Sequence, residues 1–239
     1  MDTQIRHPSL SSKAARAALD HLPATIYSGV FATIDNLASL YDGLAAVRAN
    51  ADPTKTREHN ASAYKQKFEA AKEQARNVLQ DRVAALVDYE AKVIADAHAK
   101  AGIDKRPPHA DAIWQALRSM DQDARDAAVL DAVNRGDRVV MASIVHSPTP
   151  LLTGNFTVPI KTSVEHFLDT HTPELHEERE NIETALTFLN NAAGAFKTST
   201  EKMRDLAAEE RAATGAVAAK KADAALEAAM KGAAPAPAD

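Results

Sequence analysis

Apolar positions recur every three or four residues along most of this 239-residue chain, and no run alternates with the period of two that a half-buried strand requires. The clearest seam is Tyr64, Phe68, Ala71, Ala75, Leu79, Val83, Leu86, Val93 and Ala97. No Gly or Pro follows Asp52-Pro53 until Gly102, so the pattern predicts one long helix opened by Asp and Pro and closed by Gly. At 1.5 Å per residue it would span roughly 70 Å. The seam averages about 3.67 residues per turn, which predicts straight or slightly right-handed packing. A second seam, Ile182, Leu186, Leu189, Ala193, Phe196, Thr200 and Met203, alternates steps of four and three as a heptad does. Its helix starts after Thr172-Pro173 and is expected to pass through Gly194 to about 213, with Thr214-Gly215 as a break.

Around these seams the chain divides into five expected segments: N-terminal helices 1–52, the long helix 53–106, a short-helix insert with an extended connector 107–161, a long C-terminal helical region 162–231, and a disordered tail 232–239. Ser11 or Ser12 caps a first helix ending near Leu22. Residues 24–49 follow, apolar on more than one stripe and so expected to be the most enclosed element. The insert predicts helices near 109–120, 122–134 and 138–146, with Gly136-Asp137 stopping one and capping the next. Its core would use Ile113, Trp114, Leu117, Val129, Leu130, Val133, Val140, Ile144 and Val145. Residues 147–159 carry three prolines and read as an extended connector anchored by Phe156, Val158 and Ile160, with the helix resuming near Thr162. The fold class expected is all-α: an elongated bundle on two long antiparallel helices with a small three-helix insert.

Composition narrows the possible functions. About a fifth of the residues are Ala, a strong helix former that fills a core poorly. The net charge of −5 provides no basic field for nucleic acid. Segment charges do differ: residues 53–106 hold 11 basic and 8 acidic groups, and 172–239 hold 8 and 12. Opposite signs favour these two helices as neighbours, although each exposed pair adds only a few tenths of a kcal/mol. With no Cys, thiolate metal sites and disulfides are out, which fits a reducing compartment. The first ten residues lack the apolar stretch of a signal peptide. Residues 24–47 carry Asp35 and Asp42 and read as a core helix rather than a membrane span.

Candidate chemistry is sparse. His166, His171 and His176 stand among Glu165, Asp169, Glu174, Glu177 and Glu178, but spacing of five rotates successive side chains away from one point, and Pro173 breaks the register. The acidic runs 177–180 and 209–210 lie on polar helix faces, unlike the shielded carboxylates of acid–base catalysis. No phosphate loop or nucleophile elbow occurs. The reading is therefore a non-enzyme with no cofactor and no metal. Its partners would be protein subunits, through self-association among others. The candidate partner-binding residues are Leu151, Leu152 and Phe156 in the connector, and Ile182, Leu186, Leu189, Phe196 and Met203 on the heptad seam.

One stretch of about 40 residues also carries a resemblance. With Leu117-Arg118-Ser119-Met120, Arg125, Ala132, Gly136-Asp137, Val140, Ala142, Ile144, Ser147-Pro148 and Leu151-Leu152-Thr153-Gly154, the insert resembles small, largely uncharacterised helical proteins of tailed bacteriophages. The resemblance implies a virion-associated or assembly protein with other virion proteins as partners, located in the virion or the host cytoplasm, and brings no catalytic residue. Two alternatives come from the helical build: a cytoplasmic partner-binding or chaperone-like protein with an apolar groove, and a membrane-active protein using residues 24–47.

Overall fold

The seams fold as helices, and among the described residues no strand occurs. The structure is a computed structural model and describes residues 7–20, 24–147 and 157–232. A 3-10 turn at Pro8–Leu10 precedes α1 (Lys13–Leu19), α2 (Ala24–Ala49), α3 (Arg57–Ala101), α4 (Ala110–Ser119), α5 (Gln122–Asn134), α6 (Arg138–Val145), α7 (Thr157–His171), α8 (Glu174–Glu201) and α9 (Leu206–Gly232). The helices gather into two compact units, one of residues 1–82 with 187–239, the other of residues 83–186. The divisions fall inside α3 and α8.

Unit one begins with α1 against α2, where the Arg16 guanidinium lies 4.8 Å from the Phe31 ring centroid and 3.1 Å from Asp35 Oδ2. Helix α2 buries a single stripe: Tyr27, Val30, Phe31, Ile34, Leu37, Ala38, Tyr41 and Leu44. It is thus amphipathic rather than enclosed on several sides, because Leu40 lies at the border of the stripe, Val47 is exposed, and Asp35, Asn36, Asp42 and Gly43 face solvent. Within this unit the α3 seam buries Tyr64, Phe68 and Ala75; its continuation in the other unit buries Leu86 and Ala97, but Val83 is exposed.

Unit two holds a contiguous core. Ile103, Trp114, Leu117, Val129, Met141, Ile144, Ile160, Phe167 and Leu175 pack together, with Ile113, Val140 and Val145 at the margin. Helix α6 lies against α4, and α5 against α6 and α7. The expected core member Leu130 faces solvent instead, one position from the buried Val129. Polar groups secure this core locally. The Trp114 indole N–H donates to the Ser143 carbonyl, and buried Arg125 donates to the Leu117 and Met120 carbonyls (2.6 Å each), satisfying the C-terminal end of α4. Gly102 and Gly136 have φ of +70° and +64°, the left-handed conformation that ends α3 and α5, and Asp137 caps α6.

Four helix boundaries differ from the sequence reading. Asp52-Pro53 forms a turn, not a helix start: Asp52 Oδ1 accepts from the Thr54 N–H and hydroxyl, and α3 begins at Arg57 with Thr56 Oγ1 accepting from His59 N. Helix α7 begins at Thr157 rather than near 162, because Pro159 is tolerated in a first turn that needs no N–H. The long C-terminal helix is interrupted between Glu201 and Leu206, where Asp205 accepts from Ala208 N at 3.2 Å and opens α9. Thr214-Gly215 does not break α9, since one Gly costs about 1 kcal/mol against a dense run of alanines. The tail 233–239 lies outside the described residues.

Candidate interaction surface

The interruption between α8 and α9 builds the most elaborate polar site in unit one. Met203 is buried in this turn, and Arg204 turns inward onto Phe68 and Glu209. Arg204 Nε lies 3.0 Å from Glu209 Oε1 and Nη2 lies 2.5 Å from Oε2, a two-pronged pair with the Glu209 side chain only 5% exposed. The same guanidinium stacks over the Phe68 ring at 4.8 Å. Its pKa is raised chiefly by the Glu209 bond. Arg48 donates to the Met203 carbonyl. Arg57 pairs with Asp205 at 2.5 Å and Arg211 with Glu58 at 2.9 Å. These bonds lower the pKa values of Asp205 and Glu58.

Beside this clamp lies a cleft of about 640 Å³ at the α2–α3 turn. Val47, Ala51, Pro53, Ala61, Tyr64 and Met203 supply apolar wall, while Lys55, Arg57 and His59 supply cationic or titratable groups. The Tyr64 phenol is raised in pKa by burial, and its buried hydroxyl has no hydrogen-bond partner. The cleft's two acids are committed elsewhere, Asp52 to the turn and Asp205 to Arg57. The geometry offers a binding concavity, with no nucleophile beside a free base.

The second exposed feature is α9 itself. Ala208 and Glu209 are buried and Ala212 is half-buried, but every residue from 213 to 230 is exposed. Leu226 and Met230 present 61% and 67% of their surface to solvent. An Ala-rich, uncharged stripe rarely stands out in sequence. The usable signal was its spacing, Ala208, Ala212, Gly215, Ala219, Ala222, Leu226 and Ala229, in steps of four and three.

The residues expected to bind partners fall into two groups. Leu151, Leu152 and Phe156 lie outside the described residues. On α8, Ile182, Leu189 and Phe196 are buried and Leu186 is half-buried, and Met203 is buried in the turn that follows. The chain itself already covers that seam, so a partner would reach it only after a rearrangement. The histidines are dispersed in role: His171 stacks on Phe167 with ring centroids 4.1 Å apart, while His176 faces Glu180 at 3.3 Å. Among the described residues no three His, Asp or Glu side chains converge as a metal site would need. No helix of the described residues is long and apolar enough to cross a membrane. No protein-family model matches the chain, and comparison with curated proteins and with solved structures finds no match.

Proposed function

We propose that this chain is a structural protein that works by binding other protein subunits, as a virion-associated or assembly component of a tailed phage, without turnover or a bound metal. The observation that supports this most is α9: an 18-residue stretch, 213–230, is held as helix with all of its residues exposed. In proteins most helical stability comes from packing rather than from propensity, and this stretch buries none of its residues against the chain, so a packing partner would stabilise it. The phage setting rests on the insert's resemblance.

The proposed frame is an elongated bundle in which α3 and α8 run antiparallel and α4–α6 form the insert. In unit two, Lys100 meets Glu174 at 2.6 Å and Glu90 meets Arg179 at 3.8 Å, a pairing whose order reverses along the two helices. Cross-links from residues near Gln74 to those near Lys197 or Lys202 test the frame. Links between like ends of the helices overturn it.

Mass spectrometry of purified particles and of assembly intermediates tests the function. The chain should be present at a fixed ratio to other subunits, and removing residues 213–232 should release it. Absence from both preparations overturns the virion reading. The cleft at the α2–α3 turn supports a second reading, a partner-binding or chaperone-like protein whose client places an apolar side chain beside Tyr64 and Met203. Substituting Ala61→Trp, which fills the cleft, would then weaken client binding while deletion of 213–232 would not.

A further inference from the structure

We infer that the cleft at the α2–α3 turn is a small-molecule site for an amphipathic carboxylate, a short hydrocarbon body ending in one acid group. The inference goes beyond both readings above, because the occupant is neither a subunit nor a client protein. Every residue lining the cleft belongs to unit one.

Size and wall chemistry come first. At about 640 Å³ the cleft falls within the range of small-molecule sites, roughly 300–1,000 Å³. Val47, Ala51, Pro53, Ala61 and Met203 give it an apolar wall suited to hydrocarbon.

The second observation is an orphaned hydroxyl. Tyr64 lines the cleft and is only 7% exposed, and among the described lining residues it alone has a buried side-chain polar atom with no partner. It stands on the cleft face of α3, one turn beyond Asn60 and Ala61, which line the same cleft. Helical side chains lean back towards the N-terminus, so the phenol tips over that preceding turn and into the cleft. A buried hydroxyl without a partner is destabilising, and an acceptor on a ligand would relieve it. Burial raises the phenol's pKa, so at neutral pH the group meets a ligand as a donor.

The third observation is charge. The lining holds Arg48, Lys55 and Arg57 against Asp52 and Asp205. Both acids are committed, Asp52 to the Thr54 N–H and hydroxyl and Asp205 to Arg57. Arg48 and Lys55 therefore have no carboxylate partner among the described residues. Arg48 is anchored through Nη1 on the Met203 carbonyl, while its Nε and Nη2 donors bond to no described residue. After burial, Arg48 has the strongest influence on the Tyr64 phenol, which places the guanidinium near the hydroxyl. A carboxylate accepts from both donors, and the apolar wall takes its hydrocarbon body.

Titration of octanoate, 1-octanol and acetate into the full chain, followed by amide chemical shifts, tests the site. Octanoate should shift Ala51, Ala61 and Tyr64 with a Kd of roughly 0.1–1 mM, and the other two should bind at least about tenfold more weakly. Tyr64→Phe should weaken octanoate about tenfold, as expected for losing a hydrogen bond to a charged group. The same variant removes an orphaned hydroxyl, so without ligand it should melt no lower than the wild type. That control separates lost binding from lost folding. Arg48→Gln should weaken octanoate while leaving 1-octanol unchanged. Absence of a saturable shift below about 10 mM octanoate overturns the inference. Equal binding of 1-octanol also overturns it, marking a plain apolar slot of the kind a client side chain fills. Octanoate binding unchanged by Tyr64→Phe places the acid group elsewhere and overturns it too.

Discussion

The insert around Trp114 and the last helix, α9, are both rich in Ala, yet the first closes a core and the second stays open. The difference lies in what stands between the alanines. In α4–α6 and their neighbours, nearly every inward turn brings a large side chain: Trp114, Leu117, Val129, Met141 and Ile144, met by Ile160 and Phe167 from α7. In α9 between Ala213 and Met230 only Val217, Leu226 and Met230 exceed the size of Ala on apolar positions, and Val217 lies on the opposite face. Burial of a large apolar group contributes about 1.5–3 kcal/mol, several times what a methyl group can. Helix propensity therefore favours helix in the exposed part of α9 without giving it a place in a core.

That contrast fixes the expected order of mutational effects. Trp114→Ala should be the most damaging single change, about 3–5 kcal/mol in chemical denaturation, because it opens a large cavity and orphans the Ser143 carbonyl. A loss below about 1 kcal/mol would mean that the insert core is loosely packed. Glu209→Ala should cost about 3 kcal/mol, since it leaves the Arg204 guanidinium largely enclosed without its counter-charge. Adding Arg204→Met should recover part of that loss, and a double-mutant cycle with no coupling would show that the pair is incidental.

A smaller effect is expected from pH. Burial, followed by the nearby His146 and Arg179, lowers the His98 pKa below its ordinary 6.5. The unfolded chain then binds the proton more readily than the fold does, so this stabilisation is complete above pH 6.5 and is lost as pH falls through the lowered folded value. Unfolding free energy should accordingly decline from pH 6.5 downward, and His98→Gln should flatten that part of the curve. An unchanged slope in the variant would place the titration elsewhere. Least of all, Leu226→Ser should alter monomer stability by no more than about 0.5 kcal/mol, as for an ordinary exposed site. A loss of several kcal/mol would show that α9 is packed within the chain and erase the contrast.

Much of the helix pattern was legible from local residues. The bounds of α2 and α5, the stops at Gly102 and Gly136, and the Thr172-Pro173 joint all follow from backbone rules that act within one turn. The interruption after Glu201 was not legible, because no Gly or Pro marks it. It is stabilised by Arg57, Phe68 and Glu209, two of which lie more than 130 residues away from it in sequence. The candidate surface was legible only as spacing. Whether a seam of alanines is covered depends on what the rest of the chain brings to it.

By itself, the sequence determined that this protein is helical, where most of its helices begin and end, and which side of the insert helices carries large apolar groups. These are consequences of propensity, capping and 3.6-residue periodicity, and each acts over a few residues. Only the tertiary structure decided that the α8 seam is consumed internally, that Arg204 turns inward onto Phe68 and Glu209, and that α9 is left uncovered from Ala213 to Met230. Burial is a property of pairs of surfaces, and a periodic seam specifies only one member of the pair.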